Sequence, residues 1–181
     1  RAEEVRYFIR ASHYRSPPNY SQEKLENGKA ALTRLYTSIR GLQPAARPGE
    51  DCDAYREEFQ SAMDDDFNTP EAIAVLFELA RKINKCRADV PARAASLAAC
   101  LLHLGGVLGL VQSDPEMYLR GMAGEMDGQG LSDAEIDALI ARRLAAREAR
   151  DWAEADRIRD DLEQQGVVLE DGAGGTRWRR G

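Results

Sequence analysis

Residues for metal and redox chemistry are scarce in this sequence. Its 181 residues include two histidines, His13 and His103, and three cysteines, Cys52, Cys86 and Cys100. No two cysteines form a CxxC pair, so a structural zinc site is not expected. Their odd number and wide spacing predict reduced thiols in a cytoplasmic protein. No apolar run is long enough to cross a bilayer, and the first residues do not read as a signal peptide. Also missing are a glycine-rich phosphate loop, a serine or cysteine nucleophile beside a base, and a set of metal ligands. Nothing in the residues alone argues for catalysis. Positive charge is in deficit, with a formal net charge of −6. That excludes the general electrostatic footprint of a duplex-DNA binder, so any nucleic-acid contact must come from a local patch. No internal repeat is found. The chain opens on Arg1 and not on methionine, which suggests a piece of something longer.

What is present is a globular composition, 43% hydrophobic and 31% charged. Ala2 to Ser12 reads as a short helix with Val5, Phe8, Ile9 and Ser12 along one side. Pro17 and Pro18 then force an extended segment. Ser21 caps a long helix to about Arg40, with Leu25, Leu32 and Ile39 repeating every seven residues and Gly28 and Leu35 between them. Gly28 weakens that helix unless a neighbour packs closely on it. Residues 43–51 form a Pro/Gly linker, and a helix with Tyr55, Phe59 and Met63 follows. Asp64, Asp65 and Asp66 break it, and Thr69-Pro70-Glu71 restarts the next helix, on which Ile73, Leu76, Phe77, Ala80 and Ile83 recur. Three adjacent carboxylates invite a metal, but ending one helix and favouring the start of another explains them better. Pro91 opens a further helix with Leu97, Leu101, Leu104 and Leu108 on one face. Gly121 to Leu131 carries four glycines and no periodicity, the best domain boundary in the chain. Ser132 and Glu135 make a capping box for a helix bearing Ile136, Leu139, Ile140 and Leu144.

The stretch from Arg147 to Arg180 has the most distinctive chemistry. Asp151 and Glu154 have capping-box spacing, and Gly166 can supply the left-handed residue that ends the helix. Ala155, Ile158 and Leu162 make a core stripe. Trp152, Asp156 and Arg159 fall at i, i+4, i+7 and share another face, a mixture that core packing does not require. Two short β runs, Val167 to Glu170 and Thr176 to Arg179, flank Gly172, Gly174 and Gly175 and read as a hairpin. Its last strand sets Trp178 among Arg177, Arg179 and Arg180. One reading is a helix–hairpin cap with a core tryptophan and solvated arginines. The other is a surface for single-stranded RNA, where indole planes stack bases, guanidinium groups pair with phosphates or base edges, and carboxylates accept from exocyclic amines.

Three separated motifs resemble the cysteinyl-tRNA synthetases. They are Val5-Arg6-Tyr7-Phe8 with His13-Tyr14-Arg15-Ser16-Pro17 and Asn19-Tyr20-Ser21; Ala62 to Ala72; and the end of the chain, with Ala145 to Trp152, Ala155-Asp156, Gly166, Val168 to Gly172, Thr176 and Trp178 to Arg180. Pro18, Arg177 and Gly181 depart from the family's pattern. The resemblance implies a mainly α fold: a DALR-type helical bundle followed by a small α+β domain with a short C-terminal β-hairpin. It implies that residues 1–20 end the region joining a catalytic domain, 21–120 form the bundle, and 121–181 form the anticodon-binding domain. The catalytic domain, which uses ATP and zinc to attach cysteine to its tRNA, would lie upstream, so this chain itself would hold no cofactor and no metal. By matching positions, Arg147, Trp152, Asp156, Arg159, Asp171, Trp178 and Arg179 resemble residues that bind RNA at the anticodon. The partners implied are the tRNA for cysteine and the absent catalytic domain, with no membrane or DNA, and the chain is expected to be a cytoplasmic monomer. A helical protein–protein interaction module without an RNA role is the rival, and it leaves the Trp152, Asp156 and Arg159 face unexplained.

Overall fold

A computed structural model describes residues 1–12, 14–15, 21–121, 130–172 and 175–181. The expected extended segment at Pro17 and Pro18, and most of the glycine-rich boundary, lie outside the described residues. The chain divides into two compact units, Arg1–Pro115 and Glu116–Gly181. The architecture is mainly α with one antiparallel hairpin, as expected.

The first unit is a helical bundle. It contains α1 (Ala2–Arg10), α2 (Gln22–Ile39), a 3-10 turn (Glu50–Cys52), α3 (Asp53–Asp64), α4 (Thr69–Cys86) and α5 (Pro91–Val107). α4 is central, packing against α2, α3 and α5. The local signals act as anticipated at most helix ends. The Ser21 side chain accepts from the Lys24 amide at 3.3 Å. Asn68, one residue earlier than the expected cap, accepts from the Glu71 amide at 3.3 Å, with Pro70 in the first turn of α4. The leucines expected on one face of α5 are all buried, as are Leu32, Leu35 and Ile39 of α2. Gly28 has the close neighbour it needs: a Cβ there would lie 3.3 Å from Tyr7 Cδ1 and 3.5 Å from the Glu4 carbonyl oxygen.

Two expectations for this unit are overturned. On α1, Val5 and Ile9 are exposed, whereas Glu3, Glu4 and Phe8 are buried. Burial of Glu3 is tolerated because its carboxylate accepts from the Tyr36 hydroxyl at 2.8 Å and from the Val111 amide. Glu3 and Ser113, which donates its amide to the Tyr36 oxygen, surround that phenol, and burial pushes its pKa up to about 12. The second correction concerns the thiols. Cys52 and Cys100 form a disulfide, with Cα atoms 5.8 Å apart, and only Cys86 is free. The linker before Cys52 is laid along α5 by bonds from the Ala45 amide to the Ala95 carbonyl (3.0 Å) and from the Gly49 amide to Ser96 Oγ (3.0 Å). That brings together two cysteines with no sequence signal of pairing.

The second unit contains α6 (Pro115–Arg120), α7 (Asp133–Glu148), α8 (Trp152–Gln164), β1 (Val167–Gly172) and β2 (Gly175–Arg180). The Ser132–Glu135 capping box is formed in both directions. At α8 Asp151 caps, accepting from the Glu154 amide at 3.1 Å. The Glu154 side chain turns instead to Arg157 at 2.9 Å, so only half of the expected box is made. Gly166, at φ 73°, ends α8 in the left-handed region. The two strands pair antiparallel with Leu169 opposite Trp178 and Asp171 opposite Thr176. Ile136 and Ile140 of α7, Ile158 and Leu162 of α8, Val167 and Trp178 form the core. Burying each aliphatic side chain contributes roughly 1.5–3 kcal/mol before chain entropy is subtracted.

Candidate nucleic-acid interface

α8 separates its two stripes cleanly. Ala155, Ile158 and Leu162 face the core. Trp152, Asp156 and Arg159 stand on a neighbouring, solvent-exposed face, and Trp152 is 59% exposed. Tryptophan at that exposure gives up hydrophobic burial that a core site would return. Arg159 Nη1 lies 3.3 Å from Asp156 and its Nη2 3.1 Å from Asp160. Asp160 beside it, and then Asp156, raise the Arg159 pKa further. These are solvent-exposed pairs, held weakly and readily exchanged for a ligand.

The hairpin's first strand and the end of α7 bring two more of the expected residues together. Asp171, on β1, lies 3.5 Å from Arg147 near the end of α7. Its carboxylate also accepts from Thr176 Oγ1 at 2.6 Å, and from Arg143 Nη1 at 3.2 Å and Nη2 at 3.0 Å. The Arg143 and Thr176 hydrogen bonds hold the Asp171 carboxyl down at about 2. Arg143 was not among the expected residues. A signal for it exists: Arg143 falls at i+7 from Ile136 and i+3 from Ile140, in the place where a leucine was sought at 144, and Leu144 itself is exposed.

Trp178 is a correction. Its ring is 1% exposed, inside the unit's core. Its Nε1 donates to Asp137 at 2.8 Å, and the guanidinium groups of Arg120 and Arg180 lie 4.9 and 5.4 Å from the ring centroid. No ring face is open to a base. The physical reason is strand alternation: Trp178 and Thr176 point toward the helices, so Arg177 and Arg179 point away. Arg179 accordingly stands on the other face of the ribbon from Asp171, bonded to Glu170 at 3.1 Å. The exposed set is therefore Trp152, Asp156 and Arg159 on α8 and Arg147 with Asp171 at the α7 end, while Arg179 is partly buried apart from them.

No three histidine, cysteine, aspartate or glutamate side chains converge to hold a metal ion among the described residues. Asp66, in the acidic run, accepts from the Tyr14 hydroxyl at 2.8 Å and pairs with Arg15 at 3.1 Å.

Comparison with known proteins agrees with this geometry. Residues 58–112 match the family model described as DALR domain, and residues 130–179 match the one described as cysteinyl-tRNA ligase anticodon binding domain. A helical bundle followed by an anticodon-binding unit defines a chain of the aminoacyl-tRNA synthetase class. It is 61% identical over 181 residues to the cysteine–tRNA ligase of Thioalkalivibrio sulfidiphilus, covering 99% of this chain and 38% of that protein. For the cysteine–tRNA ligase of Methylococcus capsulatus the identity is 58% over 183 residues, covering 99% of this chain and 39% of that protein. The chain belongs to the cysteinyl-tRNA ligase family and spans about 38% of the length of such relatives.

Proposed function

We propose that this chain is the tRNA-binding and anticodon-reading part of a cysteine–tRNA ligase, the enzyme that attaches cysteine to its tRNA with ATP. The observation that carries this reading is the exposed face of Trp152, Asp156 and Arg159, lying within the span that matches an anticodon-binding model. An accessible indole stacks a base of any identity, and a carboxylate and a guanidinium discriminate base edges. Arg147 and Asp171 complete the contact set. Arg179 serves as an outlying cation, and Trp178 holds the hairpin in place from the core. Residues 21–120 form the bundle and 121–181 the reading domain, with 1–20 leading from a catalytic domain; the division of the chain into compact units after Pro115 supports this partition. ATP and zinc belong to that catalytic domain and not to this chain. The working form is a cytoplasmic monomer bound to tRNA, with no membrane or duplex-DNA role. The net charge of −6 and the lack, among the described residues, of a helix long and apolar enough to cross a membrane support that reading. In a reducing compartment the buried sulfurs of Cys52 and Cys100 would pack as small apolar groups.

The test is a binding titration of the chain with the tRNA for cysteine and with the same tRNA carrying a changed anticodon. Preference for the first is expected. Equal binding of both would overturn anticodon reading, and no binding of either would favour a protein-interaction module.

A further inference from the structure

The buried guanidinium of Arg143 is the feature that the reading above does not use. Arg143 is 7% exposed on the core side of α7, in line with Ile136 and Ile140. Its Nε is buried with no hydrogen-bond partner. An aliphatic side chain there would avoid desolvating a cation, and replacing a buried ion pair by well-packed apolar residues is often neutral or stabilising. Core packing therefore does not account for an arginine at this position. What the guanidinium does supply is a planar fork: Nη1 reaches Asp171 Oδ1 at 3.2 Å and Nη2 reaches Oδ2 at 3.0 Å. A fork of this kind fixes both the position and the plane of a carboxylate, which a point cation cannot do.

The rest of the cluster shows what that fixing leaves available. Asp171 Oδ1 accepts from Arg143 and from Thr176 at 2.6 Å, which occupies both of its lone pairs. Oδ2 accepts from Arg143, and among the described residues its one further cationic neighbour is Arg147, at 3.5 Å. That separation is long for a hydrogen bond. The Asp171 side chain is half-exposed and so is that of Arg147, whereas the Arg143 side chain is covered. The carboxylate thus has one permanent cation behind it and one exchangeable cation in front.

Resting on the anticodon reading, we propose that Arg143 is a positioning residue for RNA recognition. It locks Asp171 so that one acceptor position on Oδ2 points outward for a base N–H donor. By neutralising that carboxylate from behind, it also releases Arg147 to turn from Asp171 to the RNA. Without Arg143, Asp171 would rotate about its own side-chain bonds and take Arg147 as its only counterion, and the pair would present a closed ion pair to the anticodon. Arg143 touches no RNA in this scheme and acts wholly through Asp171.

The test uses the full chain and the two tRNAs named above, with Arg143→Met, Arg143→Lys, Asp171→Asn and Arg143→Met/Asp171→Asn. Arg143→Met is expected to reduce discrimination between the two tRNAs about tenfold or more. Lysine, which keeps the charge but not the fork, is expected to restore only part of it. In the Asp171→Asn background the Arg143 change is expected to have no further effect on discrimination, since the carboxylate it serves is gone. Loss of a folded fraction would weaken both tRNAs equally and leave their ratio unmoved, so the ratio separates positioning from mere stability. Carboxyl titration by NMR gives an independent readout: the Asp171 carboxyl should rise from about 2 toward the ordinary carboxylate range in Arg143→Met. If the methionine variant does not fold, the lysine variant carries the same comparison. A wild-type chain that discriminates while the folded Arg143 variants discriminate equally well overturns this inference alone. A wild-type chain with no preference overturns the anticodon reading, and this inference falls with it.

Discussion

The two tryptophans should part stability from recognition. Trp178 fills the core of the second unit and Trp152 lies on its surface. Truncating a fully buried tryptophan to alanine costs about 3–5 kcal/mol. A unit the size of Glu116–Gly181, at the usual stability per residue, has about 3–10 kcal/mol in all. Trp178→Ala therefore removes between a third of that stability and the whole of it, and the variant should melt far below wild type. Trp152→Ala exposes no core and leaves no cavity, so its stability should stay within about 0.5 kcal/mol of wild type. If a base stacks on Trp152, its loss weakens tRNA binding by about 1–3 kcal/mol, roughly 5- to 150-fold in Kd. The assay follows from the composition. With only two tryptophans in the chain, each variant retains one indole, and its emission on urea unfolding reports a buried indole in Trp152→Ala and an exposed one in Trp178→Ala. Circular dichroism follows the helices in both. Trp178→Phe, which refills most of the volume, should recover much of the stability and bind tRNA nearly as wild type. The assignment would be refuted by a Trp178→Ala protein that unfolds like wild type yet binds tRNA poorly, or by a Trp152→Ala protein with undiminished affinity.

Asp156→Ala and Arg159→Ala should narrow the affinity gap between the two tRNAs while leaving the fold intact, as a pair of titrations would reveal. Reduction of the Cys52–Cys100 bond, which spans a sequence separation of 48, removes a constraint worth about 4 kcal/mol on the chain-entropy estimate. The urea midpoint of the first unit should fall on adding reductant, and an unchanged midpoint would count against the bond. The Asp171 carboxyl is held at about 2, below its usual 3.8. A carboxyl depressed in the folded state stabilises above its unfolded pKa and loses that contribution as pH falls through the folded value. The contribution of Asp171 to the stability of the second unit should thus be present and independent of pH near neutrality and be lost between about pH 4 and pH 2. The stability gap between wild type and Asp171→Asn should close over that range.

Helix ends and strand limits were legible because their causes are local. Ser21, Ser132 and Asp151 act within three residues of themselves, and Gly166 acts through its own backbone. The stripes Ala155, Ile158, Leu162 and Leu97, Leu101, Leu104, Leu108 declare their burial by spacing alone. What was not legible depends on partners far along the chain. The inward turn of Glu3 is made possible by Tyr36 and Val111, and nothing near α1 announces them. Cys52 meets Cys100 only because the intervening helices bring the linker back onto α5. Trp178 misleads for a different reason. Three arginines around a tryptophan read as an RNA platform, yet in a strand Arg177 and Arg179 must face away from it. Alternation against Leu169 assigns its side correctly, once the pairing register is known. On the candidate interface, the exposed face of α8 was readable from residue types and helical period. The Arg143 support beneath Asp171 was not, since a fork needs its target's position.

The order in which the second unit is synthesised bears on how it closes. Arg180 donates to the carbonyls of Arg120 and Leu131, at 2.7 and 3.1 Å, and pairs with Asp133 at 2.8 Å. Its guanidinium also covers the ring of Trp178, so the clamp on the start of the unit is carried by the second strand of its hairpin. On the ribosome, α7 and α8 emerge with Ile136, Ile140, Ile158 and Leu162 exposed along a seam that stays open until Trp178 has left the exit tunnel. Domains otherwise tend to fold from the N-terminal side as synthesis proceeds. Here a released product that ends a few residues before Arg180 would hold both helices and no closed core, an apolar surface for chaperones to bind. A stop codon that removes only β2 should therefore act as a folding defect of the whole unit, and the truncated product should be cleared by proteolysis.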